Sequence, residues 1–131
     1  MRVTASVALI TGSLIVAACG GSDSSEPETA SPAVARKEIG ETRDALNAAL
    51  ATYKSGDKAG AQEQVAEAYV SHFEEVEGPL DSKDHELNED LEHAISDELR
   101  ASMKAGKPAA AVEAQVKAIL ADLDKAEAAL R

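Results

Sequence analysis

The chain of 131 residues has one cysteine, no tryptophan and only three aromatic side chains, namely two tyrosines and one phenylalanine. A single cysteine excludes an intramolecular disulfide, so covalent cross-links cannot stabilise the fold. The scarcity of aromatic residues means that any core is built from aliphatic side chains. A lone thiol in an exported protein calls for a specific explanation.

Motifs that carry common enzyme chemistry are also missing. The sequence has no glycine-rich phosphate loop, no His-Glu-x-x-His zinc motif and no nucleophile elbow. Acidic residues outnumber basic ones by 24 to 13, which gives a formal net charge of −11. Such a surface repels nucleic acid and favours cations or basic partners, although solubility alone also accounts for it. We therefore expect a non-enzymatic protein that does not bind nucleic acid.

The amino-terminal segment has the layout of a bacterial lipoprotein leader. Arg2 is its one charged residue, an apolar run covers residues 7–16, and the small residues Ala17 and Ala18 precede Cys19. The run is shorter than the roughly 20 apolar residues of a transmembrane helix. By resemblance to bacterial lipoproteins, residues 1–18 form a cleaved signal peptide, and Cys19 carries the fatty-acid anchor. The alternative is cleavage nearby, which leaves a free thiol.

Lipidation of Cys19 places the chain in the cell envelope, on the extracytoplasmic side of a bacterial membrane. Residues 20–33 are Gly, Ser, Asp, Glu, Pro, Thr and Ala without a bulky apolar side chain, so residues 19–33 are predicted to be the lipidated cysteine and a disordered tether. Residues 34–131 are predicted to be the folded domain.

Four segments of that domain have helical periodicity, at about 34–54, 58–77, 85–105 and 108–130. Gly56, the Gly78-Pro79 pair and Gly106 with Pro108 separate them. No segment has the alternation of a strand. Because the connections are short, sequential helices should be antiparallel, and the expected architecture is an all-α, up-down antiparallel four-helix bundle.

The second and third helices hold the densest set of oxygen and imidazole side chains that could bind iron or another divalent cation. At about 100° per residue, His72 and Glu77 fall about 70° to either side of the apolar seam of the second helix. Tyr69 and Phe73 are most simply core residues. Glu98 falls within the seam of the third helix, where an unpaired carboxylate would be costly.

A buried di-iron centre is not expected. Such bundles supply a Glu-x-x-His element from each of two inward faces. The nearest element here is Asp90-x-x-His93, which has aspartate in place of glutamate, projects away from the apolar stripe and has no second copy. His72 and His93 are most simply boundary or surface residues.

The string Tyr69-x-x-x-Phe73-Glu74-x-Val76-Glu77-x-x-Leu80, with Asp84-x-x-Leu87 and Leu91-Glu92 after it, resembles the extracytoplasmic helical domain attached to some bacterial high-affinity iron permeases of the Ftr type. The likeness continues more weakly to cover about residues 56–130. It implies a role in the uptake of iron or another metal cation. The residues that match the recurrent carboxylates of that domain are Glu74, Glu77 and Glu92.

The chain departs from that family, because it has neither the permease membrane segments nor the Arg-Glu-x-x-Glu iron motifs. Transport itself therefore cannot reside in it. The resemblance implies a lipid-anchored accessory domain that binds the ion, through Glu74, Glu77, Glu92 and His72 as the candidate ligands, or docks on a permease. The alternative is a structural or interaction lipoprotein that presents its surface to an envelope protein and has no metal site.

Overall fold

The computed structural model describes residues 30–131. The predicted leader, Cys19 and the tether up to residue 29 lie outside the described residues. The described part is all-helical, with four helices and no strand: α1 (Pro32–Ser55), α2 (58–81), α3 (85–104) and α4 (Ala109–Ala129). None of these helices is long and apolar enough to cross a membrane.

The helix ends lie close to the predicted positions because local caps specify them. Gly56 ends α1 in a left-handed conformation, with φ at 102°, and the Asp57 side chain accepts a hydrogen bond from the Gly60 amide at 2.8 Å. Asp84 caps α3 by accepting from the Leu87 amide at 3.1 Å. Gly106, with φ at 67°, ends the third helix. These are the stop and start signals expected from the sequence.

The end of α2 was predicted wrongly. The Gly78-Pro79 pair does not stop the helix, which continues to Asp81 with Pro79 inside it. The φ angle of proline is compatible with a helix, and its ring removes one backbone hydrogen bond rather than the whole turn. Pro79 and Leu80 are both buried, so the added turn places apolar surface in the core.

Two π-helical turns interrupt the α-helical geometry, one in each of two neighbouring helices. The π-helical segments are Tyr69–Phe73 in α2 and His93–Leu99 in α3. A π turn takes up about one residue more than an α turn. Consecutive buried residues Ala68 and Phe73 are consequently five positions apart.

The second π turn overturns the prediction for Glu98. Regular α-helical rotation places Glu98 in line with Leu91, but the extra residue turns it away from the core by about 100° and brings Leu99 in its place. Leu99 is fully buried, and Glu98 is exposed. No buried carboxylate has to be neutralised at this position.

The core is aliphatic, as the composition predicted. Its largest fully buried side chain is Phe73, the single phenylalanine of the chain. The apolar residues that give the four segments their helical periodicity are buried as predicted, except that Tyr69, Leu87, Ala94 and Leu120 are only partly buried. The residues of the core are Ala35, Ile39, Leu46, Ala49, Leu50, Tyr53, Ala61, Val65, Ala68, Phe73, Val76, Leu80, Leu91, Ile95, Leu99, Met103, Val112, Val116, Ile119, Leu123, Ala126 and Leu130.

Each helix packs against two others: α1 against α2 and α4, and α3 against α2 and α4. Ion pairs join α1 to α4, from Arg43 to Asp124 at 2.6 Å and from Lys54 to Glu113 at 2.6 Å. The Arg36 guanidinium donates to the Leu130 carbonyl at 2.6 Å. Later residues of α1 thus meet earlier residues of α4, so these two helices run in opposite directions. Three of the four candidate ligands, Glu74, Glu77 and Glu92, lie at the boundary between α2 and α3.

Candidate functional site

A tyrosine and three glutamates gather at the boundary between α2 and α3. Tyr69 is the first residue of the π turn in α2, and its hydroxyl donates a hydrogen bond to the Glu77 carboxylate. The Tyr69 ring packs on Phe73, with the ring centroids 5.8 Å apart. Tyr69 is thus anchored in the core at its ring and linked to a predicted site residue at its hydroxyl.

The charges of Glu74 and Glu92 act on this pair. Burial raises the pKa of the Glu77 carboxyl above its ordinary value, and the negative charges of Glu92 and Glu74 raise that pKa further, against the opposing effect of the Tyr69 hydrogen bond. Burial also raises the pKa of Tyr69, followed by the hydrogen bond to Glu77 and the charges of the three glutamates. Glu92 and Glu74 are therefore close enough to destabilise the charged form of Glu77.

Glu77 is the partly buried member of this group, whereas Glu74 and Glu92 are exposed. We call Tyr69, Glu74, Glu77 and Glu92 the α2–α3 carboxylate cluster. Glu92 is the last α-helical residue before the π turn of α3, and Glu74 is the first after the π turn of α2. The two π turns therefore border the cluster on both helices.

The fourth candidate ligand, His72, lies elsewhere. Its Nδ1 atom is 2.9 Å from the Glu38 carboxylate of α1, on the opposite flank of α2 from Glu77. Hydrogen bonds from His72 and then from Lys37 hold the pKa of Glu38 below its ordinary value. The boundary position predicted for His72 is confirmed, but its contact with α1 keeps it out of the α2–α3 carboxylate cluster.

The remaining histidines contact carboxylates four residues away in the sequence. His85 Nδ1 lies 2.5 Å from an Asp81 oxygen, and His93 Nδ1 lies 3.1 Å from an Asp97 oxygen. All four side chains are exposed. Within residues 30–131, no three His, Cys, Asp or Glu side chains converge closely enough to form a ready-made metal site. A cation at the α2–α3 carboxylate cluster would require the glutamate side chains to move toward it.

Two cavities of the described part lie away from the cluster. One of about 510 Å³ opens between α3 and α4 and is lined by Glu98, Ser102, Lys107 and Gln115 among others. The other, of about 200 Å³, lies between α1 and α2 beside three alanines and His72. Neither cavity is lined by a glutamate of the cluster.

Tyr69 and Glu38 are the participants that the sequence did not indicate. The sequence predicts Tyr69 to be a core residue, which its ring partly is, and gives no indication of a role for Glu38. In a regular α-helix the Tyr69 and Glu77 positions lie about 80° apart around the axis, so their spacing gives no sign of contact. The sequence contains no motif that identifies a π turn, so this contact had no visible signal.

Similarity to known proteins gives no further guidance, because the chain matches no protein-family model, no curated protein and no solved structure. The likeness to the iron permease domain accordingly depends on the residues quoted above and remains a prediction.

Proposed function

We propose that this protein is a lipid-anchored, extracytoplasmic domain that assists the uptake of a metal cation, with iron as the expected ion, by binding the ion or docking on a permease. Cys19 is its membrane anchor, and residues 34–131 fold as an up-down antiparallel four-helix bundle. The opposite directions of α1 and α4 and the short connections between helices support this arrangement.

One observation supports the cation proposal above all others, namely the crowding of negative charge at Glu77. Burial, and after it the charges of Glu92 and Glu74, raises the pKa of this carboxyl, so its ionised form is destabilised, and a bound cation would relieve the repulsion from the two neighbouring glutamates. No lysine or arginine pairs with Glu74, Glu77 or Glu92 within residues 30–131. The donors are oxygen atoms, which suit hard cations.

The proposal is tested by thermal unfolding of the mature protein, extracted from membranes in detergent, with ferrous, ferric, manganous and cupric ions added separately. An ion that binds only the folded state and is present at ten times its Kd adds about 1.4 kcal/mol of stability. For a domain of this size the melting temperature should rise by about 5 to 10 °C. We expect such a shift with iron.

Substitutions test which residues bind the ion that causes the thermal shift. The double variant Glu77→Gln with Glu92→Gln should lose the shift, because it removes one carboxylate from each helix. The matched control is Glu63→Gln with Glu86→Gln, which changes one exposed glutamate on each of the same two helices. The control should keep the full shift. Equal shifts in both double variants would refute binding at the α2–α3 carboxylate cluster.

The alternative function is that of a structural or interaction lipoprotein without a metal site. It is favoured by the exposure of Glu74 and Glu92, and by the hydrogen bond through which Tyr69 already satisfies Glu77. Absence of a thermal shift with all four ions would support this alternative.

The anchor is tested separately. A Cys19→Ser variant expressed in a bacterium should leave the membrane fraction for the soluble fraction, because it cannot carry the acyl chains that hold a lipoprotein on a bilayer. Mass spectrometry of the unaltered protein should find a lipidated cysteine at the mature amino terminus. A Cys19→Ser variant that stays with the membrane to the same extent as the unaltered protein would contradict the predicted anchor.

A further inference from the structure

A groove runs between α3 and α4. It consists of the cavity of about 510 Å³ and a further one of about 200 Å³, and the two adjoin because Glu98 and Gln115 line both. The larger volume is within the range of small-molecule sites. Much of the wall is built from short side chains, which leave the space open, namely those of Ala94, Ala101, Ala105 and Ala118.

Charges of opposite sign line this groove without pairing. Glu98 and Lys107 both line the larger cavity. Neither side chain has an ion-pair partner within residues 30–131. The π turn of α3 leaves Glu98 at the groove, because Leu99 takes the place in the core. The groove therefore offers a carboxylate and an ammonium group to a ligand.

The loop after α3 holds the backbone of Lys107 in place. The Lys107 amide donates to the Ser102 carbonyl at 3.1 Å, and the amide of left-handed Gly106 donates to the Met103 carbonyl at 3.0 Å. This is the Schellman arrangement that ends many helices. The Tyr53 hydroxyl donates to the Lys107 carbonyl at 2.6 Å. The Lys107 side chain thus extends from a backbone whose two polar groups are both hydrogen-bonded.

Two neutral side chains of the larger cavity have unsatisfied polar atoms. Ser102 is 2% exposed, and its hydroxyl has no hydrogen-bond partner within residues 30–131. The Gln115 Oε1 atom is buried and also unpaired in that part of the chain. The terminal torsion of glutamine is broad, so a rotation of the amide turns Oε1 to the cavity. Because buried polar groups are normally hydrogen-bonded, these two atoms indicate a ligand with both a donor and an acceptor.

We propose that the groove between α3 and α4 binds a short zwitterionic peptide with small side chains, its amino end at Glu98 and its carboxyl end at Lys107. The N–H and C=O groups of the peptide backbone supply the donor and acceptor that Gln115 and Ser102 lack. The alanines of the wall accommodate small side chains. This site is separate from the α2–α3 carboxylate cluster and does not depend on the cation function.

The separation of the two charges sets the length of the peptide. Residues 98 and 104 are six positions apart in α3, which is about 9 Å along the helix axis, and Lys107 follows just beyond the end of the helix. An extended peptide of three residues spans at most about 10 Å, whereas a single amino acid spans less than about 4 Å. A tripeptide can therefore reach both charged groups, and a free amino acid cannot.

The proposal is tested by titrating the isotope-labelled mature protein, in a non-ionic detergent, with trialanine and following the amide chemical shifts. We expect saturable shifts at residues 98–107 and at Gln115. Trialanine capped at both ends should bind at least about fourfold more weakly, because each lost ion pair of an exposed group raises the Kd about two- to fivefold. Free alanine should also bind more weakly. Absence of saturable shifts, or equal Kd values for the free and capped peptides, would overturn the proposal.

Substitutions test each charged end. Glu98→Gln and Lys107→Gln should each raise the Kd for trialanine about two- to fivefold. The matched controls are Glu75→Gln and Lys83→Gln, which change exposed groups that line neither cavity of the groove. Both controls should keep the Kd of the unaltered protein. The same Kd in all four variants would refute the assigned ends of the peptide.

Filling the groove should block binding without removing a charge. Ala101→Leu places a larger side chain at the cavity wall and should abolish the trialanine shifts. Its control is Ala114→Leu, at an exposed position of α4 outside both cavities, which should bind as the unaltered protein does. Both positions are exposed, so neither variant should lose much stability. Full binding by Ala101→Leu would contradict the assigned groove.

Ser102→Ala separates a binding role from a structural one. The Ser102 hydroxyl has no partner within residues 30–131, so its removal should not lower the melting temperature, but it should raise the Kd for trialanine about two- to tenfold. A lower melting temperature with an unchanged Kd would show that Ser102 serves the fold alone and would overturn its part in the site.

Discussion

Truncation of Phe73 tests which residues of the π turn in α2 enter the core. Phe73 is fully buried, whereas its neighbour His72 is partly exposed and paired with Glu38. The apolar seam of α2 therefore includes Phe73 and leaves His72 at its edge. These two environments predict different costs for Phe73→Ala and His72→Ala.

The expected cost of Phe73→Ala is about 3 to 5 kcal/mol, as for other fully buried phenylalanines. A domain of this length has a free energy of unfolding of about 5 to 15 kcal/mol, so the variant should lose a large share of its stability. His72→Ala removes a partly exposed pair and should cost about 1 kcal/mol or less. Val70→Ala, within the same π turn but exposed, should change stability by less than about 0.5 kcal/mol.

The assay is urea unfolding of the mature protein in detergent, followed by circular dichroism, with the slope m compared between variants. The midpoint should fall strongly for Phe73→Ala at nearly constant m, and only slightly for the other two. A loss below about 1 kcal/mol for Phe73→Ala, or a larger loss for His72→Ala, would show that the seam has been assigned to the wrong residues.

Three further substitutions have predictable signs. Glu77→Gln should raise the free energy of unfolding at neutral pH. The pKa of Glu77 is raised in the folded state, so the stability of the unaltered protein falls as the pH rises from the ordinary carboxyl pKa through the pKa of folded Glu77. In the variant, urea midpoints measured between pH 4 and 8 should lose the contribution of Glu77 to the pH dependence. An undiminished slope of the midpoint against pH would be inconsistent with the burial of Glu77. Gly40→Ala, in the interior of α1 with no atom within 4 Å of the added methyl group, should stabilise by about 0.5 to 1 kcal/mol. Gly56→Ala should destabilise by about 1 kcal/mol or more because φ there is 102°. Melting temperatures that move in the same direction for the two glycines would contradict the assigned end of α1.

The sequence predicted the helices well because their signals are local. Apolar residues at helical spacing, two glycines in left-handed conformations and the caps at Asp57 and Asp84 each act within a few residues of where they stand. The prediction that Pro79 ends α2 was wrong because the effect of this proline depends on tertiary structure. Burial of Pro79 and Leu80 outweighs one lost hydrogen bond. Local interactions therefore determine most of the helix ends, whereas tertiary packing determines where α2 ends.

The candidate site was less predictable, and the reason is again geometric. The boundary positions of His72 and Glu77 followed from rotation at about 100° per residue. The partners of these residues did not follow from that rotation, because a single extra residue in the helix rotates all later residues of the helix by about 100°. That rotation brings Tyr69 to Glu77 and removes Glu98 from the core. No residue type marks where such a turn occurs.

The π turns are explained by core packing whether or not a cation binds. Without the turn in α2, the buried residues Ala68 and Phe73 would lie about 140° apart around the helix axis, and without the turn in α3, Glu98 would replace Leu99. Turning a phenylalanine away from Ala68 loses apolar burial, and burying a carboxylate in place of a leucine adds a desolvation cost, so the irregular backbone is the more stable choice. The π turns alone therefore do not indicate a functional site. What packing does not require is the arrangement outside the core, where the Tyr69 hydroxyl and Glu77 meet beside Glu74 and Glu92. Experiments on function should accordingly alter those polar groups and leave Phe73 and Leu99 in place.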